Sequence, residues 1–189
     1  MKLAKTYFIA TCILLSAGAV VAQNPQTMMN DKAAETKQEI GSHDGEIIAF
    51  IIALDNQEIN AANIVAKKKA TQAVVKYAQM MKTDHGKNLT EVNALSEKIH
   101  VSAQSNAKID DFKKKGQEEL HTLATLNSHE FETAYIDAMV KGHTTALEKM
   151  DKALEQVTNP ELKNFVMNTR DRIEMHLAAA KKIQGELKK

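Results

Sequence analysis

Apolar residues recur at alternating steps of four and three along four separate stretches of this chain, and that spacing limits what it can fold into. In the first stretch Ile47, Ile51, Leu54, Ala61 and Val65 fall on one stripe, with Glu58 in the remaining place. In the second the stripe is Val74, Ala78, Met81, His85, Asn88, Val92, Leu95 and Ile99. Ile136, Met139, His143, Ala146, Met150, Ala153 and Val157 form the third, and Leu162, Val166, Thr169, Ile173, His176, Ala180, Ile183 and Leu187 the fourth. An average step of 3.5 keeps residues on one side of a helix, so each stretch reads as a helix with a single buried seam. Four such helices can hide their seams only by packing against one another. Seven glycines, two prolines and no tryptophan in 189 residues argue against sandwiches and barrels, which need frequent turn residues. The predicted fold is an all-α four-helix bundle occupying 43–189.

The boundaries follow from punctuation. Thr71 is a candidate N-cap for the second helix, and Thr158-Asn159-Pro160 breaks the third from the fourth, with proline suited to a first helical turn. The stretch from about His100 to Leu126 is a long connection. Within it Ile109, Phe112, Gly116, Leu120 and Leu123 predict a short amphipathic helix lying across the bundle. A connection this long returns the chain to its starting end, so the second and third main helices are expected to run parallel, as in ferritin-like bundles.

The N-terminal region has a different character. Lys2 and Lys5 precede an uncharged, mostly apolar run from Thr6 to Ala22, and Val20-Val21-Ala22 offers a small-residue ending. This reads as a cleaved signal peptide over 1–22, too short for a comfortable membrane span, and places the protein in the periplasm. Residues 23–42 are polar without a sustained apolar period and read as a flexible lead. The only cysteine, Cys12, lies within the signal, so the mature chain has no disulfide, thiolate or cysteine nucleophile. Without Lys2 and Lys5 the 25 basic residues become 23 against 24 acidic, a net charge of about −1 with no basic footprint for nucleic acid. No stable membrane insertion is expected after cleavage, and the sequence names no protein partner.

Each main seam carries one ionisable residue: Glu58, His85, His143 and His176. A core built for stability alone would place leucine or valine there, because an unpartnered buried polar group costs about 1–3 kcal/mol. All four lie near the middle of their stripes, so they can converge in one layer, within the scatter of about 5–9 Å that an uncertain register allows at about 1.5 Å per residue. Three imidazoles and a carboxylate make a plausible ligand set for a transition metal, with iron, manganese, zinc and copper all compatible. Met81 and Met139 each precede a seam histidine by four residues, and thioethers beside imidazoles would favour cuprous copper; filling core gaps is the commoner role of methionine. Tyr135 lies two turns before His143 and can bring its hydroxyl near the layer or simply pack. Asp84, Asp137 and Arg172 flank the seams, where a solvated position is usual. His43, His100, His121 and His129 fall outside the stripes and read as exposed.

Two further readings compete with a metal site. The polar layer could instead fix helix register in a metal-free envelope protein that acts through partners. Alternatively, an open position on a three-histidine site could activate water, although no G-x-S-x-G, H-E-x-x-H or cysteine supports an enzyme independently.

The run Tyr77-Ala78-Gln79-Met80-Met81-Lys82-Thr83-Asp84-His85, then Phe131-Glu132-Thr133-Ala134-Tyr135 leading into Met139-Val140-Lys141-Gly142-His143, and finally His176-Leu177 and Glu58-Ile59, resemble the exported bacterial proteins grouped as domain of unknown function 4142. The resemblance covers about 45–187. It implies a ferritin-like bundle in the cell envelope and sets Glu58, His85, Tyr135, His143 and His176 at motif positions, without supplying an activity. Glu132 stands where that motif leads one to expect aspartate. The Glu-x-x-His pairs of di-iron ferritin-like enzymes are absent, since Lys82 and Ile173 occupy the positions three before His85 and His176.

Overall fold

The computed structural model describes residues 25–188, with side chains described over 43–188 apart from Ser128. The expected signal segment 1–22 therefore lies outside the described residues. Five helices occur in order: α1 Pro25–Val65, α2 Gln72–Lys98, α3 Ala107–Thr125, α4 Ser128–Gln156 and α5 Pro160–Leu187. Among the described residues there is no strand, and no helix is long and apolar enough to cross a membrane. The chain divides into two units, 1–35 and 36–189, and the helical bundle belongs to the second.

Of the expected lead over 23–42, residues 25–42 are helical in backbone and form the first part of α1. The segment is rich in Met, Lys, Ala, Glu and Gln, which favour a helix on intrinsic propensity without any apolar stripe.

The four seams bury, with Leu95, Ile99, Val157 and Leu187 near their ends half-buried, and the core forms two apolar storeys. One joins Ala61, Ala62 and Val65 of α1, Val74, Tyr77, Ala78 and Met81 of α2, Phe131, Tyr135, Ile136 and Met139 of α4, and Ala180 and Ile183 of α5. The other joins Ile47, Ile48, Ile51 and Leu54 with Val92, Ala146, Met150, Ala153, Leu162, Val166 and Ile173. The starts of α2 and α4 thus share a storey with the ends of α1 and α5, so α2 and α4 run parallel. Each fully buried aliphatic or aromatic side chain contributes roughly 1.5–3 kcal/mol, so the two storeys supply most of the driving force.

The extra helix departs from expectation. α3 lies along α1 and runs in the same direction, where the sequence suggests a segment lying across the bundle. Ile109 packs on Ala49 and Ala53, Phe112 meets Phe50 with ring centroids 5.2 Å apart, and Gly116 lies against Gln57. Beyond the end of α1, the Lys68 ammonium donates to the carbonyls of Ala124 and Leu126, each at 2.7 Å, which caps the C-terminus of α3 with positive charge. The apolar face of α3 is long enough, at 19 residues, to follow α1 rather than cross it.

Polar side chains fix the helix ends. Asn106 and Asn159 cap α3 and α5 through their side-chain oxygens, and Pro160 takes the first turn as its spacing predicts. Thr71 occupies the N-cap of α2 without a side-chain cap of its own; Glu132 on α4 accepts its backbone N–H instead. The buried Asp44 carboxylate accepts from Thr158 N, Thr158 Oγ1 and Asn159 N at 2.8–3.0 Å, tying α1 to the α4–α5 turn. Gly45 lets the connection before α3 pass over α1, since a Cβ there would stand 2.7 Å from the Ser102 carbonyl oxygen.

Candidate metal centre

Between the two apolar storeys lies a polar layer. It contains Asp55 and Glu58 from α1, His85 and Asn88 from α2, His143 from α4, and Thr169 and His176 from α5, every one of them buried. The heptad-like spacing puts all of these except Asp55 on the seams, and the short turns between antiparallel neighbours set the heights so that the four rods present them together. His85, His143 and His176 each bring one ring nitrogen to within 4.8 Å of the others. Their ring centroids are 5.1–5.9 Å apart. The three histidines expected to converge do so, and the buried group they form could hold a metal ion.

In each ring one nitrogen is engaged and the other is not. His85 Nδ1 lies 2.8 Å from Asp55 Oδ1, His143 Nδ1 lies 2.9 Å from the Met139 carbonyl oxygen, and His176 Nε2 lies 2.9 Å from Asp84 Oδ2. With acceptors at these positions, the engaged nitrogens are the N–H donors. The opposite nitrogens, His85 Nε2, His143 Nε2 and His176 Nδ1, are buried without a hydrogen-bond partner, as is Glu58 Oε2. Lone pairs of this kind, with the other ring nitrogen tied to a carboxylate or carbonyl, are how proteins orient imidazole ligands toward metals. An ion bound at about 2.0–2.1 Å needs its nitrogens roughly 3.4 Å apart in a tetrahedron, so a closure of the order of an ångström completes the fit.

Two of the three rings are held in the neutral form that ligation needs. Burial, helped by the neighbouring His85 charge, lowers His143 to about 4 against its Met139 hydrogen bond. Burial likewise lowers His176 to about 4 in spite of Asp84. Both rings are therefore neutral at neutral pH. His85 behaves differently: burial pulls it down, but the Asp55 hydrogen bond and the charges of Glu58, Asp55 and Asp84 outweigh burial and raise it. Burial raises Glu58, opposed by His85 and His176.

Other sequence-predicted residues fall variously. Glu58 stands beside the histidine trio, its Oε1 4.0 Å from His143 Nδ1, in the same buried layer but outside the tight group of nitrogens. Tyr135 is fully buried, stacks on Phe131 with centroids 6.0 Å apart, meets Tyr77 edge-on, and leaves its hydroxyl unpartnered. Burial and the Glu58 charge raise its pKa. Met81 and Met139 are buried in the apolar storey with these aromatics, and Met139 serves the layer through its backbone carbonyl. Asp84 is partly exposed and also holds His176; Asp137 is exposed and accepts from Gln184. Arg172 turns outward to Glu91 at 3.4 Å. His100, His121 and His129 are exposed as expected, and His43 is half-buried.

Sequence reasoning missed Asp55 and the network it anchors. Asn88 Nδ2 donates to both Asp55 oxygens at 3.0 and 3.3 Å, and Thr169 Oγ1 donates to Asn88 Oδ1 at 3.0 Å. A signal existed: Asp55 precedes Glu58 by three residues and Asn88 follows His85 by three, each spacing returning to the same helix face.

A family model described as "Domain of unknown function (DUF4142)" matches residues 27–183. No curated protein matches the chain. Among solved structures, a DUF305 fragment from Deinococcus radiodurans superposes with a TM-score of 0.68 at 12% identity, covering 76% of this chain and 96% of that one. A DUF305 protein from Streptomyces coelicolor, proposed to be secreted, gives a TM-score of 0.67 at 14% identity, covering 78% and 94%. At these identities the likeness concerns the fold alone.

Proposed function

This chain belongs to the family described as domain of unknown function DUF4142, whose description assigns no activity, and from the chemistry of its buried layer we propose that it is an exported metal-binding bundle. In this reading one transition ion is held by His85, His143 and His176, with the Glu58 carboxylate available as a fourth donor, and the protein handles metal or protects the envelope from metal and oxidative stress. The expectation of export to the periplasm rests on the charged start and apolar run of residues 1–22. A ferritin-like relationship is part of the same proposal, resting on the parallel α2 and α4 joined by a long connection.

One observation carries the reading. Four donor atoms from four helices are buried without a hydrogen-bond partner, while the other nitrogen of every ring is held by an acceptor. Leaving four such groups unpartnered costs about 1–3 kcal/mol each, and a bound cation turns that cost into ligation. The neutral state of His143 and His176 supplies the lone pairs, and Asp55, Asp84 and the Met139 carbonyl aim them. The donor set accommodates iron, manganese, zinc or copper.

The test is metal content. Purified protein exposed in turn to zinc, copper, iron and manganese, then desalted, is expected to retain one ion per chain by elemental analysis and native mass spectrometry. A quadruple alanine variant at Glu58, His85, His143 and His176 should retain none. Wild-type protein that keeps no metal would end this reading. The Asp55–Asn88–Thr169 network, which ties α1, α2 and α5 in register, favours the competing reading of a metal-free protein acting through partners. Under that alternative, chelator leaves the thermal stability of the wild type unchanged.

A further inference from the structure

A groove of about 470 Å³ opens beside the polar layer, bounded by α1, α3 and α4. Gln57 and Glu58 form part of its wall, with Gly116 and Glu119 on α3 and Lys141 and Gly142 on α4. Glu58 therefore belongs both to the buried layer and to a groove open to solvent. Its carboxylate is 3% exposed and its Oε2 has no partner. Gln57 Oε1 is a second buried acceptor without a donor on the same wall. Gln57 Nε2 reaches toward Glu119 Oε2 at 3.5 Å, so an exposed carboxylate stands at the outer side of the same residues. Lys115, Lys141 and Lys149 also border the groove, with Glu118 and Glu119 offsetting their charge; the two buried acceptors without donors, Gln57 Oε1 and Glu58 Oε2, suit a cation stripped progressively of its water.

Two glycines shape this path. At Gly142 a Cβ would find nothing nearer than Glu58 Oε1 at 3.9 Å, so the absent side chain leaves free space over the carboxylate, next in sequence to His143. At Gly116 a Cβ would collide with the Gln57 carboxamide, so its absence lets that group lie against α3. The opposite side of the layer is less suited. There the void beside His85 and His176 is only about 10 Å³, and Arg172 borders both it and the outer cleft between α2 and α5. Asp84, His85 and His176 line that void directly, so its small size is what closes this side.

We propose that the α1–α3–α4 groove is the loading route of the buried site, in which Glu119 and Gln57 Oε1 receive a divalent cation and pass it across Gly142 to Glu58 and the imidazoles. This rests on the metal-binding reading and adds to it the direction from which the ion comes and the residues that admit it. No covalent chemistry is involved. The ion exchanges water for protein oxygen and then for nitrogen.

The experiment follows Co²⁺ binding to metal-free full-length protein by stopped-flow, through the visible d–d absorption that develops on ligation. Gly142→Leu places a side chain in the space above Glu58 on a helix that tolerates it, and Glu119→Gln removes the outer charge at an exposed position. Gly142→Leu is expected to slow association at least tenfold and to slow release into excess chelator by the same factor, leaving the equilibrium Kd within about threefold. Glu119→Gln should slow association about threefold or more, with a weaker dependence on salt. Circular dichroism melting checks that each variant folds. If Gly142→Leu does not fold, Glu119→Gln decides alone. Wild-type association rates in the folded variants would overturn the route and leave the metal site standing. No Co²⁺ absorption in the wild type would overturn both.

Discussion

Substitution of Asp55 tests the layer where its geometry is most demanding. The Asp55 carboxylate accepts from two donors: His85 Nδ1 at 2.8 Å and Asn88 Nδ2 at 3.0 and 3.3 Å across its two oxygens. Asp55→Ala leaves His85 Nδ1–H and Asn88 Nδ2 buried without partners. At about 1–3 kcal/mol for each group, the metal-free protein should lose about 2–6 kcal/mol. Asp55→Asn is gentler, because the amide oxygen can still accept from His85. Its NH₂ would then face the Asn88 NH₂, and the conflict resolves if the Asn88 amide flips, accepting from position 55 and donating to Thr169 Oγ1. The metal-free stability of Asp55→Asn should therefore stay within about 1 kcal/mol of wild type. Its neutral amide no longer strengthens the His85 lone pair, and metal affinity should fall about 10–100-fold. Urea denaturation in the presence of chelator reads the first quantity, and competition against a chromophoric chelator reads the second. Unchanged affinity in Asp55→Asn, or undiminished stability in Asp55→Ala, would refute the orientation of His85 by Asp55.

Other expectations arise from the same geometry. His143 titrates near 4 in the folded protein against an ordinary 6.5, so between those values the unfolded chain binds more protons and the folded state loses stability as pH falls. Several layer groups titrate together, so the difference between wild type and His143→Gln isolates this contribution: it should change by up to about 1.4 kcal/mol per pH unit in that window, read from urea midpoints without metal. A flat difference would contradict a neutral, buried ring. At Gly45 a valine would meet the Ser102 carbonyl and the Gln104 side chain, and it should cost roughly 1–3 kcal/mol. Hydrogen exchange would show faster opening at Gln104, whose N–H donates to the Gly45 carbonyl.

Much of this protein is legible in its amino-acid order. Alternating steps of four and three require a helix with one buried side, and four such stretches require a bundle, because no stripe can hide its apolar face alone. The same periodicity sets the angular position of His85, His143 and His176 on their helices and their height to within about a turn, which is enough to anticipate that they meet. It could not give what depends on neighbouring rods. Which ring nitrogen is left free depends on acceptors brought in by other residues: Asp55 from α1 for His85, Asp84 from α2 for His176, and a carbonyl one turn back for His143. Residues 25–42 read as a lead because propensity without an apolar stripe leaves no seam to see, yet it still favours helix. The path of α3 along α1, the offset of Glu58 beside the trio and the groove above Gly142 were decided by packing. Contacts between distant segments set side-chain rotamers and the spaces between helices, and spacing along one chain carries no record of them.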